Sequence, residues 1–273
     1  MASPARTLGD DLQADSDLRV DIEGHVATLT IDRPAQGNRL TPATLAHLRQ
    51  VTASLAADRR TCCVVITGAG AEFFSSGIFN IELRAAYSKE DALAIVRMAN
   101  DAFDSVEALP QLVIGALNGA VRAGGGELAL ACDFCVCASH ATLAFHETSY
   151  ACFPGAGAPV RLPAKVGAGR ALEMIATGRE LGADEMLRIG LVTRVVPSSE
   201  LSTTVRDMAV QIAAKGPLGI RGAKQIVRLQ SDGPAAAAHQ LSWALRTSLE
   251  YSHDVDEAIA AHLEKREPRY LGR

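Results

Sequence analysis

The spacing of apolar positions changes near Val166. Before it, short apolar runs alternate with longer stretches that repeat every three to four residues. After it, nearly the whole chain has the helical repeat. In the first part, Leu18–Glu23 and Val26–Ile31 read as two strands around Gly24-His25, a hairpin signal. Arg33-Pro34 ends the second strand. Thr41 supplies an N-cap and Pro42 the first helical position of a helix running to about Ala57. Residues 62–67 form a short β-branched run that reads as a buried strand, and 68–72 a loop. Residues 73–78 (FFSSGI) make a glycine turn into a helical segment. An amphipathic helix over 89–109 stops before Pro110. Strand Leu112–Leu117, a glycine turn, a helix to about Cys132, and strands Phe134–Ala138 and 142–145 follow.

Strands alternating with helices predict an α/β fold with crossover connections. Beyond Gly167 the pattern predicts helices over 170–177, 183–189, 200–215, 217–229, 234–251 and 254–266, with 191–196 as one strand-like interruption. The expected organisation is a loose polar tail over 1–17, an α/β core over 18–196 and a helical region over 197–273. Within the last, Trp243 and Tyr251 are expected to pack, with Tyr251 a candidate to line a pocket.

Composition narrows the function. A net charge of −4 and 4% aromatic residues speak against a nucleic-acid surface, which wants a basic footprint and stacking platforms. The first residues lack the apolar stretch of a secretory signal, and no run reaches the length of a membrane span, so the expected location is the cytoplasm with no membrane partner. Of the six cysteines, most lie in apolar runs and read as small core hydrophobes. Cys132 and Cys135 form a C-x-x-C, but no second pair or histidine cluster completes a metal site, so none is expected.

The densest chemistry lies in residues 118–133, NGAVRAGGGELALACD. Gly124, Gly125 and Gly126 let backbone approach a ligand closely. The helix that follows opens with Glu127, where N–H groups lack intrahelical partners and the dipole favours negative charge. This is either a tight strand-to-helix turn with a capping glutamate, or an oxyanion site with a carboxylate one turn away. A second carboxylate, Glu147, precedes the glycine- and proline-rich stretch 154–159. Two such carboxylates near an oxyanion site suit general acid–base work on an activated carbonyl. Spacing alone does not bring them together.

From Val20 to the end the chain resembles the enoyl-CoA hydratase/isomerase (crotonase) superfamily. Arg33-Pro34 with Asn38 and Leu40 is similar to the family's R-P-x-x-x-N-x-L, and FSSGIFNIE from Phe74 to its F-S-A-G-A-D-I-K-E turn. Residues 118–133 resemble N-G-x-x-x-G-G-G-x-E-L-A-L-x-C-D, and PGAGAPVRL from Pro154 resembles P-G-x-G-G-T-x-R-L. TGRELGADEMLRIGLVTRVV from Thr177 and LEKREP from Leu263 resemble the family's tail signatures. Departures are Ala35 in place of the early Lys, Phe79 and Ile81 where the family has Asp and Lys, Arg122 at an apolar position, Ala123 for the first glycine, and His146 for a Pro.

The resemblance implies a crotonase-like spiral of ββα units, followed by a helical C-terminal trimerisation region. It implies an oxyanion hole from the Ile78 and Gly124 N–H groups, and Glu127 and Glu147 as catalytic carboxylates. Ser76, Gly77, Phe79, Ala123, Gly125, His146 and Gly155 would contact substrate. The implied activity is hydration of an enoyl-CoA thioester, with CoA as part of the substrate, no further cofactor, and a homotrimer or dimer of trimers. Isomerisation or another enolate reaction such as C–C cleavage is the nearest alternative. A non-catalytic acyl-CoA- or RNA-binding protein is the alternative of another kind. For Arg122 a solvated or locally paired state is expected over a substrate contact, for His146 a structural role, and for Asp133 the capping of a turn.

Overall fold

The computed structural model describes residues 8–12, 16–232 and 235–273. Helix α1 spans Leu8–Leu12, so part of the stretch expected to be a loose tail is helical, and the rest of that expectation lies largely outside the described residues. Strands β1 (Leu18–Glu23) and β2 (Val26–Ile31) pair antiparallel, as the hairpin signal implied. Helix α2 (Pro42–Ala57) starts where predicted, with Thr41 Oγ1 accepting the Thr44 N–H at 3.1 Å.

A pattern then repeats three times: a buried strand, a short strand, and helix. Strand β3 (Cys63–Gly68) leads to β4 (Phe73–Ser75) and helices α3 (Ile81–Ala86) and α4 (Lys89–Glu107). Strand β5 (Leu112–Leu117) leads to β6 (Ala120–Arg122) and α5 (Gly124–Ala131). Strand β7 (Phe134–Ala138) leads to β8 (Thr142–Ala144), then α6 (Ala158–Val166) and α7 (Ala168–Thr177). After β9 (Leu181–Gly182) and α8 (Ala183–Arg188), β10 (Arg194–Val196) completes a six-stranded sheet of order β1-β2-β3-β5-β7-β10, parallel except at β1. The short strands collect in a second sheet of order β4-β6-β8-β9. This is the spiral of ββα units that the resemblance implied.

Of the short strands, β8 was expected over 142–145, whereas β4, β6 and β9 were not legible, because two or three residues carry no alternation to read. Helix α6 was also missed: its first residues fall in the glycine- and proline-rich stretch 154–159, and no element was expected over the rest. It forms because Gly157, at φ 115°, turns the chain in, and Pro159 suits the first turn. Pro163 lies inside it, where it lacks an N–H for the carbonyl four residues back.

The C-terminal helices are α9 (Leu201–Ala213), α10 (Pro217–Asp232), α11 (Ala235–Glu250) and α12 (His253–Glu264). Helix α10 is tied to the core through Asp133. That side chain does more than the expected turn cap. Its Oδ2 accepts the Val113 N–H at 2.7 Å and Lys224 Nζ at 2.7 Å, and its Oδ1 accepts Arg228 Nη2 at 3.0 Å. Lys224 also donates to the Gln111 carbonyl at 2.6 Å. The packing expected of Trp243 and Tyr251 is not found within the chain: they are 75% and 85% exposed, because the helix surface they occupy faces away from the core.

Candidate functional site

The glycine turn of 73–78 and the glycine stretch before α5 meet. A Cβ built on Gly77 would stand 3.0 Å from the Ala123 methyl and 3.2 Å from Gly124 N, and one on Gly124 would stand 2.8 Å from Ile78 Cγ1 and 3.5 Å from Ile78 N. The two backbones can lie this close only because neither position carries a side chain. Among the described residues, neither the Ile78 nor the Gly124 N–H donates to a protein acceptor. Two adjacent amide donors, one at the start of α5, are suited to an oxyanion.

Ala123 joins the two halves under strain. Its φ of 48° and ψ of −123° belong to a region that favours glycine. It is held there by its N–H to the Ala144 carbonyl at 3.0 Å, while its own carbonyl accepts the Gly126 and Glu127 N–H groups. Gly125 faces the Ser75 carbonyl, which a Cβ would approach to 2.5 Å, so its smallness serves the contact of α5 with β4.

Glu127 lies in the first turn of α5 and is 2% exposed. Its Oε1 accepts the Ala158 N–H, the first residue of α6, at 3.0 Å. Burial lifts its carboxyl to about 7, against the lowering effect of the Ala158 N–H, and the charge of Glu147 pushes the same way. The two predicted carboxylates are therefore close enough to sense each other. Glu147 opens a one-turn 3-10 helix, Glu147–Tyr150, and its carboxyl is also raised to about 7 by burial. Its Oε2 is buried with no hydrogen-bond partner among the described residues. An orphaned buried carboxylate oxygen calls for an explanation, and a proton or a polar ligand supplies one.

Sequence reasoning missed the support behind this pair. Arg161, nearly buried on α6, donates Nε to Glu107 at 2.7 Å and Nη1 to the Ala156 carbonyl at 3.1 Å, and also pairs with Asp104. It pins the start of α6, and with it the Ala158 N–H, to α4. The signal was the Arg of PGAGAPVRL, which nothing local in the sequence ties to Glu127.

The other predicted residues separate. Ser76 and Phe79 line a cleft of about 400 Å³ with Gln36, Gly37, Arg39, Phe73 and Asn80. The Phe79 ring meets Tyr87 edge to face at 6.0 Å. Gly155 is exposed, and its carbonyl accepts Asn100 Nδ2 at 2.8 Å. His146 stands at the N-terminal end of the Glu147 turn, without a side-chain capping bond, and is exposed. Arg122 is locally paired, as expected: Nη1 donates to the Thr142 carbonyl at 3.1 Å, Nη2 to Thr142 Oγ1 at 2.8 Å, and the guanidinium pairs with Glu180. The Cys132 and Cys135 thiols donate to the Leu128 and Ala129 carbonyls of α5.

Comparison with known proteins agrees with the fold. Residues 21–273 match the family described as enoyl-CoA hydratase/isomerase. The chain is 36% identical over 255 residues to the carnitinyl-CoA dehydratase of Escherichia coli K12, covering 92% of this chain and 96% of that one. The structure of an enoyl-CoA hydratase from Bacillus anthracis superimposes with a TM-score of 0.91 at 36% identity, covering 94% of this chain and all (100%) of the other. The structure of DspI from Pseudomonas aeruginosa gives 0.88 at 32% identity, covering 94% and 98%. Among the described residues, no helix is long and apolar enough to cross a membrane.

Proposed function

The chain belongs to the enoyl-CoA hydratase/isomerase family, and on that premise we propose that it hydrates the 2,3-double bond of an enoyl-CoA thioester. The Ile78 and Gly124 N–H groups donate hydrogen bonds to the thioester oxygen as negative charge builds on it. Glu127 takes a proton from water as the water oxygen bonds to C3, and the π electrons of the double bond move into the enolate. Glu147 then delivers its proton to C2. The product carries one more water, and transfer of a proton from Glu127 to Glu147 restores the pair. This chemistry draws on no metal or redox group, and CoA enters as part of the substrate.

The observation that carries the reading is the pair of carboxyls, both raised to about 7, with the charge of one acting on the other. Such a pair holds a single proton near neutral pH, because two ionised carboxylates repel. Hydration needs that state, with one carboxylate as base and one acid. The names of two relatives, a hydratase and a dehydratase, fit a reaction that moves water. The test is incubation with a panel of short, branched and aromatic enoyl-CoAs, read by mass spectrometry beside a Glu147→Gln control. Gain of one water that disappears in the control supports hydration, whereas turnover without a mass change would assign isomerisation.

For assembly we propose a homotrimer or a dimer of trimers. Trp243, Tyr251 and Leu263, on and between α11 and α12, are 75%, 85% and 76% exposed, and a partner subunit would cover such side chains. Sedimentation equilibrium decides it, and a monomer at micromolar concentration overturns it.

A further inference from the structure

The matched family region begins at residue 21, so α1 lies outside it. Yet α1 packs on α2, Leu8 rests against the core, and Asp11 is buried. The Asp11 carboxylate accepts a hydrogen bond from the Tyr87 hydroxyl. Tyr87 is the residue that ends α3, the helix that follows the oxyanion turn.

Beyond this, the attachment of α3 to the core comes from its partly buried Leu83. The helix contains no fully buried residue, and its first turn is capped by Asn80, whose side chain accepts the Leu83 N–H at 2.8 Å. Its far end is anchored by Tyr87, buried beneath α1 and set edge to face against Phe79. Between α3 and the oxyanion turn lies a cavity of about 10 Å³ walled mainly by the apolar Ile78, Phe79, Leu83, Tyr87 and Ile95, with Arg39, Thr41 and Pro42 completing its lining. That is space for one water at most. The Ile78 side chain belongs to this wall, and its N–H is the donor assigned above to the thioester oxygen. An acyl chain that extended past the carbonyl on this side would meet this largely apolar lining, where there is no room for it unless a neighbouring element such as α3 moves.

We propose that Asp11, acting through Tyr87, is a positioning residue for substrate choice: it holds α3 against the oxyanion turn and restricts the site to short acyl groups. The proposal rests on the reading of the site as an acyl-CoA site. The Tyr87–Asp11 contact fastens a surface helix with few other attachments, so its loss lets α3 swing outward and the apolar wall accept further methylenes.

The experiment uses the full chain with Tyr87→Phe, which keeps the ring and removes the hydroxyl, and separately Asp11→Ala. Saturated butanoyl-CoA and decanoyl-CoA, which cannot be hydrated, are titrated by calorimetry. Amide hydrogen exchange is followed over 81–86. In both variants we expect binding of decanoyl-CoA relative to butanoyl-CoA to improve by about tenfold, the effect of burying roughly two more methylenes, together with faster exchange in α3. A ratio within about twofold of wild type in both variants overturns the strap and leaves the acyl-CoA reading standing. A wild-type protein that binds neither thioester overturns both.

Discussion

Two carboxylates flank α5, six positions apart, and their surroundings are opposite. At its start, Glu127 accepts the Ala158 N–H at 3.0 Å, has no cation bonded to it among the described residues, and has a carboxyl lifted to about 7. Just past its end, Asp133 accepts a backbone N–H and two cationic side chains, at 2.7 and 3.0 Å. Burial of a charge is tolerated when it is fully paired, and an under-paired one tends to take up a proton instead. Asp133 thus fastens the α10 helix to the sheet, while Glu127 is left able to exchange a proton. The same helix has a structural end and a reactive end.

The largest expected effect breaks the reactive end. Glu147→Gln or Glu127→Gln should lower kcat on the best enoyl-CoA by about 10²–10⁴-fold, the usual worth of a positioned acid or base. Steady-state assays with the folded variants check this, and wild-type turnover by Glu127→Gln would move the assignment to a one-carboxylate reaction. At the structural end, Asp133→Asn removes an anion from two cations and should cost about 3 kcal/mol or more in chemical denaturation. Its kcat per folded molecule should stay near wild type, since Asp133 does not touch the proposed reacting groups.

The same contrast has a pH signature. The carboxyls of Glu127 and Glu147 have an ordinary value of 4.5 and are raised to about 7 in the fold. The folded state therefore binds these protons more tightly than the unfolded chain does. Stability from them is present below about pH 4.5, falls as pH rises towards 7, and is fully lost above. Glu127→Gln should consequently gain about 1–3 kcal/mol over wild type at pH 8 and little at pH 4, measured by denaturant titration at both. The wild-type kcat/KM should peak near pH 7, falling on either side as the pair gains or loses its single proton. The smallest effect is at the strained joint: Ala123→Gly relieves a φ of 48° and should add about 1 kcal/mol net of glycine's entropy. Thermal unfolding reads it as a rise of about 2–4 °C for a domain of this size.

Much of this architecture was written locally. The hairpin, the Thr41–Pro42 helix start and the β5 and β7 strands follow from periodicity, capping and β-branched runs, each a property of a few adjacent residues. So does the position of Glu127 at a helix start after glycines. Glu147 stood out by its place before the stretch 154–159, and the motif resemblance led to the spiral fold and to the Ile78 and Gly124 N–H groups, from the order of several weak signals. What the chain could not display was which of these come together. The contact of Gly77 with Gly124, the Ala158 N–H on Glu127, the Arg161 brace to α4 and the Asp11–Tyr87 bond each join residues far apart in sequence. Such pairings depend on how the sheet stacks and on where a helix as irregular as α6 begins. The tertiary structure alone decided that the half-buried Asp133 would be neutralised by cations and the buried Glu127 left to hold a proton, because desolvation and charge pairing are set by neighbours in space.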